Sequence, residues 1–200
     1  MHKDGCTKYL YHGSFVPNIQ QLYPISQNHD CSDEKVVYMT SNRAYALFYI
    51  WDPVLTGRQN KWVTCSIKDG VVCYYEQFPG QLNSFYNGSH GYVYSVKKDD
   101  TWIKASKPDT WLCTHTAQIN DCDPIDNVYE EILRYEATGA VKIYYFEKLP
   151  QDEQEQNINM IVEYINNKQL LKNPNSEEAI FIATHHKDAW KRALKIQANS

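Results

Sequence analysis

The sequence of 200 residues contains no long apolar run, no basic run and no paired-cysteine motif. A transmembrane helix needs about 20 consecutive apolar residues, so none is expected here. The formal net charge is −4, and the chain lacks the Lys/Arg stripe with which general nucleic-acid binders neutralise phosphates. The N-terminal segment lacks the apolar core of a signal peptide. We therefore expect a cytoplasmic protein that makes no contact with a membrane.

Cysteine is present but scattered along the chain. No two cysteines form a CxxC pair, and none groups with histidines at the spacing of a zinc site. Without an export signal, free thiols in a reducing compartment are favoured over disulfides. The sequence thus predicts neither a metal site nor disulfides among its six cysteines, Cys6, Cys31, Cys65, Cys73, Cys113 and Cys122.

Aromatic residues are abundant, with 16 Tyr, 5 Trp and 6 Phe. Tyrosine joins a large ring to a hydroxyl that requires a partner, which suits half-buried strands and the walls of pockets. Packing within a β-rich core accounts for most of these tyrosines, and we predict that the set Tyr92, Trp102 and Trp111 serves this purpose.

The pattern of residues predicts an α+β domain at 1–150, built on a mostly antiparallel sheet, with a helical C-terminal extension at 151–200 packed on it. Asn42 is a candidate N-cap for one helix, and Asn127 for another that stops at Gly139. Lys68 to Gly70 reads as a hairpin turn. Strands are predicted at 8–12, 36–40, 62–67, 71–76, 91–96, 111–119 and 141–146, and helices at 42–51, 79–86, 127–138, from 151 onward and from 176 to about 196.

Two short segments carry the functional signal. The first is Tyr11-His12-Gly13-Ser14, and the second is Val36 to Thr40, in which Tyr38 precedes Tyr49 by eleven residues. Together they resemble the nicotinamide pocket of the ADP-ribosyltransferases of the diphtheria-toxin and poly(ADP-ribose) polymerase class. The resemblance implies a split antiparallel β-sandwich with short helices. It also implies NAD⁺ as substrate and transfer of ADP-ribose to a protein or nucleic-acid acceptor.

The resemblance assigns roles to individual residues, because transfer passes through a transition state with positive charge on the ribose. His12 would orient the ribose, and the backbone of Gly13, followed by Ser14, would hold the nicotinamide amide. Tyr38 and Tyr49 would line or stack on the nicotinamide ring. Many family members have a serine where this chain has Ala46, which removes one hydrogen bond worth about 1 kcal/mol.

The catalytic glutamate of the family opens a late strand, and two placements are open. Tyr129 to Ile132 resembles the family's tyrosine-x-glutamate signature and nominates Glu131, although Asn127 and Gly139 put that residue on a helix. Alternatively the late strand is 111–119, whose opening residues Asp109 and Thr110 include no glutamate. Local physics favours the second placement, on which the protein is a weak or altered transferase or a binder that has lost transfer. The alternative function is a non-catalytic ligand-sensing or protein-interaction module on the same fold.

Three further titratable residues, Glu76, His185 and His186, are predicted to be exposed to solvent. Glu76 ends an apolar strand, and we expect its carboxylate to be solvated there. His185 and His186 have no nearby cysteine or acidic partners in the sequence, so we expect both on the surface of a helix.

Overall fold

A computed structural model describes residues 8–30, 33–53 and 62–198, and it confirms the predicted α+β class with antiparallel sheets and C-terminal helices. Cys6 and Cys31 lie outside the described residues. The strands are β1 (Tyr9–Ser14), β2 (Gln21–Leu22), β3 (Ser26–Gln27), β4 (Lys35–Thr40), β5 (Thr64–Lys68), β6 (Val71–Tyr75), β7 (Gly91–Lys97), β8 (Ile103–Lys104), β9 (Thr110–Cys113), β10 (Ala117–Gln118), β11 (Asp121–Ile125) and β12 (Val141–Tyr144).

Helices connect the strands and form the C-terminal part of the chain. None in the described ranges has both the length and the apolar character needed to cross a membrane. The helices are α1 (Arg43–Ala46), α2 (Gln81–Tyr86), α3 (Val128–Ala137), α4 (Gln151–Asn167), α5 (Glu177–His185) and α6 (Lys187–Ala198), with 3-10 turns at Leu47–Tyr49, Phe146–Lys148 and Leu170–Lys172.

The main sheet has the strand order β11-β7-β1-β4-β9-β8, with β3 added to β4. Strand β1 pairs with β7 along its whole length, from Tyr9 opposite Lys97 to Ser14 opposite Tyr92. Between β1 and β4, however, the described ladder consists of Tyr11 opposite Thr40 alone. A second sheet has the order β12-β6-β5, and β10 pairs with β2. The two central strands of the main sheet, β1 and β4, are therefore joined by much sparser backbone pairing than β1 and β7.

Local sequence signals account for several element boundaries. The Asn42 side chain accepts a hydrogen bond from the Tyr45 backbone N–H at the start of α1, and Asn127 does the same for α3. Asp69 and Gly70 both have positive φ, 50° and 78°, which matches the predicted turn between β5 and β6. The helix starts at Asn42 and Asn127 and this hairpin turn are thus confirmed.

The structure contains strands that the sequence did not predict, namely the two-residue strands β2, β3 and β8 and the edge strand β11, and it divides one predicted strand. The predicted strand 111–119 is divided between β9, which pairs with β4, and β10, which pairs with β2. Strand β11 was not predicted. It lies at the sheet edge, four of its five residues are exposed, and it contains Pro124. An edge strand of this kind has no apolar alternation for a sequence pattern to reveal.

The helical C-terminal extension has its own core and also packs on the first domain. Ile161, Ile165 and Ile182 are buried among the helices. The rings of Trp62 and Phe181 stack at a centroid distance of 6.2 Å, and those of Phe78 and His185 lie 4.7 Å apart. Aromatic contacts therefore connect the extension with the preceding domain.

The expected exposure of Glu76 and His186 was wrong. Glu76 is 4% exposed, because its carboxylate accepts hydrogen bonds from the backbone N–H groups of Leu82 and Phe146. His186 is 7% exposed. It lies under Trp62 and Phe78, whose ring centroids are 5.7 and 5.2 Å from its own. Neither contact is visible in the local sequence.

Because His186 is buried, we expect the unfolding free energy of the protein to fall in acid. Burial, helped by the nearby His185, lowers the pKa of His186 to about 4, whereas an unfolded histidine has a pKa of about 6.5. Well above pH 6.5 the ring is neutral in both states. As the pH falls from 6.5 to 4, the unfolded state binds a proton that the folded state does not, which costs about 2–3 kcal/mol of unfolding free energy. Urea unfolding at pH 7 and pH 4.5 measures this loss.

The matched variants are His186→Phe, which keeps a ring but cannot titrate, and His90→Gln, which removes an exposed histidine. We expect His186→Phe to lose less stability between the two pH values than the parent protein, and His90→Gln to behave like the parent. An equal acid-induced loss in all three proteins would contradict the assignment to His186.

Candidate ligand-binding site

A cavity of about 700 Å³ lies where β1 and β4 have only their single residue pair. Its walls come from both strands, from the connection between them, from α1 and the 3-10 turn that follows, and from the start of β9. The lining comprises Tyr11, His12, Gly13, Val37, Tyr38, Met39, Thr40, Tyr45, Tyr49, Lys107 and Thr110, together with Ile19, Gln21, Leu22, Tyr23, Ile25, Ser26, Gln27 and His29.

Four of the six residues nominated for ligand binding lie around this one cavity: His12, Gly13, Tyr38 and Tyr49. The other two, Ser14 and Ala46, are not among the lining residues. The Ser14 hydroxyl accepts a hydrogen bond from the Val16 backbone at 3.1 Å, and Ala46 is fully buried beneath the wall. The structure therefore does not place Ser14 or Ala46 in the cavity wall.

Gly13 is required by close packing between β1 and the end of α1. A Cβ atom at this position would lie 1.9 Å from the carbonyl oxygen of Ala46 and 3.0 Å from Cγ1 of Ile50. Real Cβ atoms do not approach a backbone oxygen so closely. The missing side chain therefore allows α1 to lie directly on β1, and this contact brings Tyr45 and Tyr49 to the cavity.

His12 is a neutral hydrogen-bonding group at pH 7. Burial lowers its pKa, and a hydrogen bond with the Tyr38 backbone partly opposes that effect. A neutral imidazole that donates through one nitrogen keeps the other as an acceptor, so His12 suits a hydroxyl group better than an anion.

The part of the wall formed by α1 and the following 3-10 turn is aromatic and uncharged. The Tyr49 hydroxyl donates to the Tyr45 hydroxyl at 3.2 Å, and the two rings meet edge to face at 5.6 Å. Phe48 packs against both rings. Burial raises the pKa of Tyr45 and of Tyr49, so both hydroxyls remain protonated at neutral pH. Tyr49 is also partly exposed, which leaves ring surface available to a flat ligand.

Tyr38 is covered by a residue that the sequence motifs did not indicate. The backbone N–H of His29 donates to the Tyr38 hydroxyl at 2.8 Å, and the His29 ring stacks on the Tyr38 ring with a centroid distance of 5.9 Å and an interplanar angle of 24°. Tyr45 was likewise missed, although its position one helical turn before Tyr49 is a signal that could have placed both on one face.

No aspartate or glutamate is present among the described residues that line the cavity. The late strand β9 opens with Thr110, which is buried, faces the cavity and pairs with Thr40. The Asp109 carboxylate accepts a hydrogen bond from the Asn42 amide at 3.4 Å, and its backbone carbonyl accepts one from the Ser41 N–H. On the second placement of the catalytic glutamate, the residue that opens the late strand is therefore threonine.

Glu131, the other candidate for the catalytic carboxylate, is not among the lining residues. It lies on α3 and forms ion pairs with Arg43 at 3.1 Å and Arg134 at 2.6 Å. Hydrogen bonds from Arg134 and then Arg43 lower the pKa of Glu131 against the effect of burial. Arg43 also contacts Asp123 and Tyr135. Glu131 therefore links α3 to α1 through its ion pair with Arg43. The structure does not bring it together with His12 and Tyr38.

Within residues 8–30, 33–53 and 62–198, no three His, Cys, Asp or Glu side chains are grouped as a metal ion would require. No protein-family model, curated protein or solved structure matches the chain.

Proposed function

We propose that the cavity binds NAD⁺ or a closely related ligand containing ADP-ribose, and that the protein is an ADP-ribosyltransferase-like binder in which transfer is slow. The observation that carries this proposal is the meeting of His12, Gly13, Tyr38 and Tyr49 around one cavity of about 700 Å³. These residues are separated by up to 37 positions in the sequence, and they include every residue that the resemblance places against the nicotinamide and its ribose, apart from Ser14 and Ala46.

The chemistry of the walls suits the parts of such a ligand. Nicotinamide in NAD⁺ is a flat, electron-poor cation that stacks well on tyrosine rings, and Tyr45 and Tyr49 provide neutral rings in a half-open wall. A neutral His12 is a suitable partner for a ribose hydroxyl. The side chains of Ile19, Leu22 and Met39 add apolar surface for the remaining flat groups.

Slow transfer follows from the lack of a carboxylate in the described lining. Cleavage of the nicotinamide–ribose bond builds positive charge on the sugar, and a preorganised group of opposite charge typically contributes a factor of about 10²–10³ in rate. The threonine hydroxyl of Thr110 is neutral and cannot replace that charge. Binding requires only the tyrosine rings, His12 and Gly13, so the lack of a carboxylate in the described lining does not prevent it.

The test is a thermal-shift and calorimetric titration with NAD⁺, ADP-ribose and nicotinamide. A ligand at 100 times its dissociation constant adds about 2.7 kcal/mol to the stability of the folded state, which for a chain of this size raises Tm by roughly 5–10 °C. We expect His12→Ala to remove most of this shift, while the exposed His115→Ala leaves it unchanged. If none of the three ligands shifts Tm in the parent protein, the proposal is wrong.

A second candidate, a protein-interaction module, is favoured by one observation. Tyr23 and Ile25, at the mouth of the cavity, are 60% and 78% exposed. Exposed apolar side chains next to a cavity are typical of docking sites. Failure of all three small ligands to bind would favour this candidate over the first.

A further inference from the structure

The segment ending in His29-Asp30 places an aromatic ring in the cavity wall and a carboxylate on the neighbouring loop before β9. The ring of His29 stacks on Tyr38, the tyrosine assigned to the nicotinamide ring. The carboxylate of the next residue, Asp30, accepts hydrogen bonds from the backbone N–H of Ser106 at 3.0 Å and from its hydroxyl at 2.5 Å. One dipeptide therefore contacts both the β4 wall and the loop before β9.

The loop around Ser106 carries the donors that proteins use to bind anions. Ser106 offers a hydroxyl and a backbone N–H, and the next residue, Lys107, is one of the residues that line the cavity. The hydrogen bonds from Ser106 lower the pKa of Asp30, and the charges of His29 and Lys107 act in the same direction. Hydroxyl, amide and ammonium donors close together favour a phosphate or a carboxylate.

We propose that Ser106 and Lys107 form an anion subsite of the cavity, which Asp30 occupies in the free protein and which the diphosphate of a dinucleotide occupies in the complex. The identity of the dinucleotide rests on the proposed function, whereas the anion subsite rests on Ser106, Lys107 and Asp30 alone. His29 provides a flat ring and Asp30 an anionic group beside it. A nucleotide has the same two features, a flat base and a negatively charged phosphate. The ligand therefore has to displace both groups from Tyr38 and Ser106.

This competition lowers the apparent affinity of the free protein. A ligand that binds only when the segment has moved away has its affinity reduced by the fraction of molecules in that open state. Asp30→Asn keeps the shape of the side chain but removes its charge, and a charge-assisted hydrogen bond is about twice as strong as a neutral one. The substitution weakens the internal competitor and leaves Ser106 and Lys107 in place.

The experiment is calorimetry with NAD⁺, ADP-ribose, nicotinamide and inorganic diphosphate, applied to the parent protein, Asp30→Asn and Lys107→Met. We expect Asp30→Asn to bind ADP-ribose and NAD⁺ at least tenfold more tightly, and Lys107→Met to bind them at least tenfold more weakly. Nicotinamide, which carries no phosphate, should bind Lys107→Met and the parent equally. The matched control is Asp99→Asn, because Asp99 accepts the same pair of hydrogen bonds from Thr101, whereas none of residues 98–102 lines the cavity.

The ligand panel distinguishes the two proposals. If NAD⁺ binds the parent protein and neither Asp30→Asn nor Lys107→Met changes its affinity, the anion subsite is refuted and the proposed function stands. If ADP-ribose and diphosphate respond to both substitutions but nicotinamide does not bind, the subsite stands and the nicotinamide assignment is refuted. Weaker binding of ADP-ribose to Asp30→Asn would identify Asp30 as a ligand contact and overturn its role as a competitor.

Discussion

Replacing Gly13 with alanine is expected to abolish NAD⁺ binding and to lower the unfolding free energy by about 3 kcal/mol or more. The added Cβ would lie 1.9 Å from the Ala46 carbonyl oxygen, which is part of the backbone and cannot move without α1. Overpacking of a tight contact costs roughly 1–3 kcal/mol when side chains can adjust, and here the nearest atom has no such freedom. Displacement of α1 also removes Tyr45 and Tyr49 from the cavity wall. Urea unfolding and calorimetric titration with NAD⁺ measure the two effects.

The matched control is Ser14→Ala, the next residue on β1. Its hydroxyl accepts one hydrogen bond from Val16 and does not line the cavity, so we expect less than about 1 kcal/mol of destabilisation and unchanged binding. A Gly13→Ala protein with the stability and NAD⁺ affinity of the parent would show that α1 does not rest on β1 as described.

Parts of the fold that depend on neighbouring residues could be predicted from the sequence. Asn42 and Asn127 cap helices because their side chains accept backbone N–H groups within three residues. Asp69 and Gly70 form a hairpin turn because they tolerate positive φ. The positions of His12, Gly13, Tyr38 and Tyr49 around one cavity follow from a motif on β1 and a strand-to-helix segment at β4. Each of these signals is contained in a short stretch of chain.

The features that the sequence did not reveal depend on distant contacts. Strand β11 exists because β7 offers it backbone partners, and four of its own five residues are exposed. Glu76 is buried because Phe146, 70 residues later, donates to its carboxylate. His29 meets Tyr38 through the fold of the connection between β1 and β4. Glu131 was nominated by a local motif, whereas its ion pair with Arg43 joins residues 88 positions apart.

Introducing a carboxylate with Thr110→Glu is expected to raise the rate of nicotinamide release from NAD⁺ by about 100-fold over the parent protein. Thr110 is buried, opens β9 and faces the cavity that His12 and Tyr49 also line. A glutamate there would place negative charge close to the ribose, where positive charge develops in the transition state. The cationic nicotinamide riboside of the bound ligand offsets part of the cost of burying that charge. Chromatographic measurement of free nicotinamide over time gives the rate.

Thr110→Gln separates charge from size, because glutamine fills the same volume without an ionised group, and we expect it to release nicotinamide no faster than the parent. Glu131→Gln should also leave the release rate unchanged, since Glu131 is paired with Arg43 and Arg134 away from the cavity lining. If Thr110→Glu binds NAD⁺ but releases nicotinamide at the parental rate, a missing carboxylate at the start of β9 is not what limits transfer. If instead Thr110→Glu raises the release rate and Thr110→Gln does not, a single carboxylate at position 110 is enough to turn this binding pocket into a catalytic one.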